Sequence, residues 1–425
     1  MQETIIRSDL LKEQFYEIRH DSGLTVLVME QPQYTGAFAM FGAKYGSVDT
    51  CFKLESAVEY TRVPEGIAHY LEHKLFESEE LDAFERFAKT GASANAFTSF
   101  DRTCYLFQCA DHVEENLEIL LDFVKHPYFT AQTVQKEQGI IGQEIRMYQD
   151  DPDWALEFNL LRAIYHKNPV RIDIAGTIES IAQITAELLY DCYRTFYNHS
   201  NMVLAVAGNV TKEQVLRVCD KVLQHEEPIR FEQIVETEPE TVKEAYIEAT
   251  MAVDLPKFAL GFKQPSIPLV RSDNELCAME IALDIIAGKV SPLYHELLSE
   301  GLINPSFTGY YFTGRGFAVP MFTGESVNPQ AVREALLARI ASLQKNGISN
   351  EEFDLSCKRL YGLEIRGFND VDDLAYQMVD AYFKDTTLFG TLEAYQTVTR
   401  DDVQLMIDRL RPDHCSFSVV KGEAK

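Results

Sequence analysis

The stretch Gly66–Glu77 reads GIAHYLEHKLFE and carries His69, Glu72 and His73 in a His-x-x-Glu-His arrangement. In a helix, at about 100° per residue, positions four apart lie about 40° from one another, so both imidazoles leave on one face. Two such nitrogens can grip one metal ion. Glu72 lies on the same side, where it can take a proton from water without being a ligand itself. Two neutral imidazoles and a carboxylate on one face would be costly to bury without a partner, which favours a metal over a pair of core histidines. The chemistry implied is metal-assisted hydrolysis.

A second helix is expected from about Ala131 to Tyr148, and within it Glu137 and Glu144 are two turns apart on one stripe. A catalytic zinc takes three protein ligands and leaves one position for water, so Glu144 is the natural third ligand. Glu137 is suited to orient a ligand as a supporting carboxylate. Taken alone, two glutamates on a helix read as a solvated face; the preceding histidine pair is what lifts Glu144. Between the two helices, ASANAFTSFDRTCYLFQ (Ala92–Gln108) reads as one strand followed by another. Its small side chains leave backbone groups approachable, which suits an edge strand pairing with an extended peptide and equally suits an ordinary turn between strands.

The rest of the chain bounds what these residues can serve. A length of 425 residues exceeds one compact core and predicts at least two domains. The net charge of −27 argues against nucleic acid and against an anionic membrane surface. It permits basic peptide substrates, although an acidic, solvated surface that keeps the protein soluble accounts for it more readily. The N-terminal MQETIIRSDLLKEQ has no basic region followed by an apolar core, and no stretch approaches eighteen apolar residues, so a cytoplasmic protein is expected. Eight cysteines lie scattered without a Cys-x-x-Cys, so neither a thiolate cluster nor a disulfide framework is indicated.

In chain order, Phe15–Glu30 predicts two strands around Asp21-Ser22-Gly23, and Ala37–Ser47 predicts another. Pro64 suits the first turn of the helix bearing the histidines, and Gly91 the end of the next helix. Met202–Val210 reads as a buried strand. A Glu- and Pro-rich stretch, 226–245, then reads as a linker between a metal-binding domain, 1–225, and a second domain, 246–425. The second domain repeats the order of the first: a strand pair at Tyr246–Lys263, a helix at Asn274–Ala287, a strand pair at Pro305–Gly324 and a helix at Gln330–Leu343. NEEFDLSCKRLYGLEI (Asn350–Ile365) then echoes VQKEQGIIGQEI (Val134–Ile145). A duplicated module is the economical explanation, with no histidine pair in the second copy.

With these residues in hand, the chain resembles the pitrilysin, insulysin and mitochondrial processing peptidase family of zinc peptidases, which use the inverted His-x-x-Glu-His motif. RVPEGIAHYLEHKLFE, KTGASANAFTSFDRTCYLF and KEQGIIGQEIRMYQDDPDW are most similar to the bacterial YmfH-like members. The resemblance implies an α+β fold of two homologous half-domains, each a mostly antiparallel sheet with helices on one face, arranged as half of a clamshell chamber. It implies one zinc ion per chain held by His69, His73 and Glu144, with Glu72 as general base and Glu137 as supporting carboxylate. Ala94, Asn95 and Ala96 would lie along the bound peptide backbone.

The implied activity is a zinc-dependent endopeptidase acting on peptides or unfolded segments. The competing reading is a non-catalytic peptide-binding or scaffold subunit with a structural metal, for which Glu72 beside an open metal position would have no use. Active members of the family carry an Arg and a Tyr in the second half to hold substrate, and Leu298 and Asn304 stand at those positions here. Arg315, Tyr310 and Tyr311 are weaker local substitutes. The resemblance therefore implies a dimer, preferably with a homologous metal-free subunit that supplies the Arg and Tyr.

Overall fold

The computed structural model describes residues 1–79, 82–234 and 237–423. Two compact units emerge, and each is assembled from three pieces of chain: 1–145, 173–234 and 367–389 in the first, 146–172, 235–366 and 390–425 in the second. Each unit is built on its own sheet. The sequence reading drew one boundary, in the 226–245 stretch; the packing instead passes one segment of each half to the other unit.

The reason lies in the strands. TVLVME (Thr25–Glu30), AFAMFGA (Ala37–Ala43) and MVLAVAG (Met202–Gly208) are apolar on both alternating faces, a pattern that demands cover on both sides of the sheet. One face, with Val26, Val28, Ala39, Phe41, Leu204 and Val206, joins the main core beneath the helices of the first unit. The other, with Leu27, Met29, Phe38 and Met40, is covered by helix Val371–Phe383, which buries Leu374, Ala375, Met378 and Val379 there. In the second unit the matching cover is helix Pro152–Ile164, which lies against strands Lys257–Phe262 and Cys415–Lys421. Ser418 Oγ donates to the Leu156 carbonyl at 3.0 Å, and a Cβ at Gly261 would meet Leu160 and Ile164 at 3.0 Å. Helices on one face, as the resemblance implied, are thus joined by one exchanged helix on the opposite face.

The first sheet runs, in spatial order, Gln2–Ser8, Glu13–Arg19, Thr25–Glu30, Met202–Gly208, Ala37–Ala43, Thr103–Cys109, Ser93–Thr98. All neighbours are antiparallel except Thr25–Glu30 with Met202–Gly208. The second runs Tyr246–Thr250, Cys415–Lys421, Lys257–Phe262, Phe317–Glu325, Thr308–Gly314, again with only its first pair parallel. The last five strands of the first sheet and the five of the second therefore share one order and one parallel pair, the structural counterpart of the repeat in the sequence. No helix among the described residues is long and apolar enough to cross a membrane.

The 226–245 stretch is tied down on either side of residues 235 and 236, which lie outside the described residues. Phe231–Gln233 pairs with Cys51–Leu54 in a small three-stranded sheet. Glu238 accepts the backbone N–H groups of His166, Lys167 and Asn168 and pairs with buried Lys263 at 2.9 Å.

Leu374 is fully buried between the exchanged helix and the first sheet. Leu374→Ala is expected to lower stability to urea by about 2–5 kcal/mol. The lost protection should appear by hydrogen exchange in Thr25–Glu30 and Ala37–Ala43, and unchanged exchange in those strands would contradict the exchanged packing.

Candidate metal centre

The histidines sit on helix Ile67–Leu75. Its start is set by Gly66, the capping residue, whose φ of 85° is reached cheaply only by glycine. A side chain there would also strike the Ala175 carbonyl oxygen at 2.4 Å, while Gly176 makes the reciprocal approach to Glu65, whose oxygen lies 2.5 Å from where a Cβ would be. Ser180 Oγ donates to that same Glu65 carbonyl at 2.8 Å. The expectation that Pro64 occupies the first turn is corrected: the helix begins at Ile67, whose N–H reaches back to the Pro64 carbonyl at 3.4 Å, so Pro64 belongs to the approach. Gly91 does end the next helix, Ala83–Thr90, in the left-handed conformation.

Facing this helix is Ala131–Gln149, which carries both glutamates. Tyr70, inside the motif and fully buried, donates its hydroxyl to the Val134 carbonyl and clamps one helix to the other. Nothing in the spacing of the motif marked Tyr70; its role follows only from the packing.

Across that contact His69 Nε2 stands 3.7 Å from Glu144 Oε1, and His73 Nε2 stands 3.4 Å from Glu144 Oε2. Ligand atoms of the three residues lie within 4.8 Å of one another. Glu137 reaches the other nitrogen of His73, Nδ1, at 3.1 Å. Nδ1–H donating to that carboxylate leaves the Nε2 lone pair directed to the Glu144 side, the tautomer a metal requires.

Glu72 is buried, and Thr98 donates to its Oε2 at 2.7 Å. Thr98 ends the strand Ser93–Thr98, the last in the first sheet, paired only with Thr103–Cys109. Ala94 and Ala96 are partly buried against the main core, and Asn95 between them is exposed. The three therefore lie on an edge strand that leads to the residue holding Glu72. Thr98 was missed in the sequence, although it stands within the same SANAFTS run; only the approach of the strand to the motif helix reveals it.

The electrostatics of the site are those of groups taken out of water. Burial, with His73 nearby, pushes His69 down to about 3, so its imidazole is neutral. For His73 burial acts in the same sense, but the hydrogen bond it donates to Glu137 and the charges of Glu72 and Glu144 outweigh it and raise its pKa. Burial raises Glu72, opposed by the Thr98 hydrogen bond and by His73. A carboxylate so raised is a better proton acceptor.

These donors fit a zinc ion. Nitrogen and oxygen ligands at about 2.0–2.2 Å around a tetrahedral centre stand about 3.4 Å apart, whereas a direct hydrogen bond would draw them to about 2.7–3.2 Å. The 3.4 and 3.7 Å separations match the first spacing. His69 turns Nε2 to Glu144, and its buried Nδ1 has no hydrogen-bond partner among the described residues.

The second unit holds no comparable group among its described residues. Leu298 packs against its core, while Asn304 Nδ2 donates to Glu325 at 2.8 Å and its Oδ1 accepts the Ser306 N–H. Tyr311 is buried, with its N–H on Glu280 and its hydroxyl on Glu275. Burial raises Tyr310 and pushes Arg315 down to about 10.

Comparison with known proteins agrees with this geometry. Residues 57–178 match the model of the insulinase family, peptidase family M16, and residues 183–360 match that of the peptidase M16 inactive domain. The chain is 39% identical over 413 residues, 95% of each protein, to the uncharacterized zinc protease YmfH of Bacillus subtilis (strain 168). It is 25% identical to the uncharacterized zinc protease YmxG of the same organism, over 70% of this chain and 73% of that one. Among solved structures, an M16-like peptidase from Alicyclobacillus acidocaldarius superposes with a TM-score of 0.91 at 33% identity, covering 99% of this chain and 98% of that one. Pitrilysin shares the fold, with a TM-score of 0.78 at 18% identity, over 99% of this chain and 46% of that one. By its identity to a relative along nearly its whole length, this chain belongs to peptidase family M16.

Proposed function

We propose that this chain is a zinc-dependent endopeptidase of the cytoplasm, hydrolysing peptides or unfolded segments with one zinc ion per chain. The observation that carries the reading is the meeting of His69, His73 and Glu144 beside a buried Glu72 at the end of an open edge strand. His69, His73 and Glu144 would hold the ion. When bound, zinc supplies a Lewis acid that acidifies water and polarises a carbonyl.

The remaining steps belong to the side chains. Glu72 takes a proton from the attacking water at its carboxylate and passes it to the leaving amine. Thr98 fixes the carboxylate oxygen it touches and so aims the other. Glu137 keeps His73 in the tautomer that presents Nε2. Ala94, Asn95 and Ala96 would meet the substrate backbone by strand addition, small side chains letting it approach.

Neither Leu298 nor Asn304 has the charge or the hydroxyl needed to hold a substrate carbonyl, and both are engaged within the second unit. This supports a dimer with a homologous metal-free chain that supplies an Arg and a Tyr. Peptide digestion by the purified chain should therefore be weak and rise on addition of such a homologue. Full activity of a monomer or homodimer would overturn the pairing.

Glu72→Gln is expected to lower turnover by about 10²–10⁴-fold while metal analysis still finds one zinc per chain. Turnover that survives would defeat the mechanism, and no turnover in either form would favour a scaffold subunit with a structural metal. Thr98→Val should lower kcat about tenfold or more at unchanged zinc content, with Thr98→Ser close to the parent, as loss of a hydrogen bond to a charged group requires. Equal kcat in the two variants would remove Thr98 from the site.

A further inference from the structure

A pocket of about 790 Å³ opens within the second unit, between the residues around Glu238, the stretch following strand Lys257–Phe262, and the chain after helix Arg400–Asp408. Its lining runs against the composition of the chain. With 66 acidic and 39 basic residues the protein is strongly acidic, yet Lys263, Arg271, Arg409 and Arg411 all converge here.

Their acidic partners are shared unevenly. Lys263 is matched by Glu238, both side chains being almost fully buried. Glu275 is shared: Arg271 Nη1 at 3.3 Å and Arg409 Nη1 at 3.2 Å both donate to its Oε1. One carboxylate between two guanidinium groups leaves a positive charge over. Arg271 is buried, whereas the Arg409 side chain is 38% exposed and can present further N–H groups to the pocket. Arg411 pairs through Nε and Nη2 with Asp413, which leaves its remaining edge for a ligand. Glu240, the other acid in the lining, is exposed and its charge acts on Arg411, so it is the placement of the Arg409 and Arg411 N–H groups rather than a net positive charge that suits an oxyanion.

The rest of the wall is mainly apolar, with Gln264, Ser266 and His414 among it. Pro265, Pro268 and Leu269 line it, and Ile267 is left 78% exposed. A pocket of this size, mostly apolar with a few convergent polar groups, is the usual form of a small-molecule site. Guanidinium forks match the planar or tetrahedral oxygens of carboxylate and phosphate.

We propose that this pocket binds a small organic anion, a carboxylate or phosphate group carried on an apolar body, with the oxyanion against Arg409 and Arg411 and the body against Ile267 and Leu269. The site is separate in sequence from the metal ligands and does not depend on the peptidase reading.

Isothermal titration of the full chain tests it with octanoate, octyl phosphate, octanamide and inorganic phosphate. Octanoate or octyl phosphate should bind once per chain, and whichever binds tighter identifies the oxyanion. Octanamide, which lacks the charge, and inorganic phosphate, which lacks the apolar body, should bind about tenfold or more weakly. Arg409→Gln combined with Arg411→Gln should weaken binding about tenfold or more. Should that double variant fail to fold, Arg411→Gln alone, at an exposed position, should weaken binding in the same sense. Octanamide binding as tightly as octanoate, no binding of either anion at millimolar concentration, or unaltered binding by the folded variants would overturn the proposal.

Discussion

Three carboxyl groups and two imidazoles are crowded into one largely buried place, and among the described residues no lysine or arginine pairs with any of them. Glu72 rests on Thr98, Glu137 on His73, and Glu144 between His69 and His73. Lys74, fully buried on the same helix, is spent on Glu77. Burying acids without a counter-charge costs several kcal/mol, a cost that protonation lowers and that a bound cation would offset. The clamp from Tyr70 to Val134 ties the motif helix to the glutamate helix, and the close approach at Gly66 and Gly176 fixes the start of the motif helix against the 173–176 loop.

The second unit meets the same demand with its own residues. Helix Asp273–Ala287 follows its strand pair as the motif helix follows strands of the first unit, and it places Glu280 and Asp284 one turn apart. From helix Asn350–Gly367, the counterpart of the glutamate helix, Arg359 donates to both oxygens of Asp284, through Nε at 3.2 Å and through Nη2. Here a guanidinium of the chain itself answers the buried carboxylate. This copy pairs its two helices through an ion pair and holds no group of metal-ligand type among its described residues. A bidentate Arg–carboxylate pair is also geometrically demanding enough to fix the two helices.

Local patterns carried much of this in the sequence. The hairpin around Asp21-Ser22-Gly23, the buried strand at Met202–Val210 and the repeat of strand and helix order could be read because each depends on neighbours a few residues away. The histidine pair and the two-turn spacing of the glutamates were legible for the same reason. Helix Val371–Phe383 was not: its buried face, Leu374, Ala375 and Met378, reads as any amphipathic helix, and nothing in it says which sheet it covers. The clue was in the other partner, since strands apolar on both faces require a second cover. Thr98 and Tyr70 escaped because a hydroxyl next to a motif becomes informative only when its acceptor, from another element, is known.

The edge strand joins these levels. Ser93–Thr98 has a partner on one side only, and an open edge invites pairing with any other chain. Here Asn95 Oδ1 accepts the backbone N–H of Ala96 at 2.9 Å, so that donor is occupied by the side chain before it. The bond is local and exposed, and exchanging it for a carbonyl of an incoming peptide trades one hydrogen bond for another at small net cost. On the peptidase reading this is the useful compromise: the edge is quiet when empty, yields to an extended backbone, and ends at Thr98, so a chain registered along it is carried to the carboxylate that Thr98 holds.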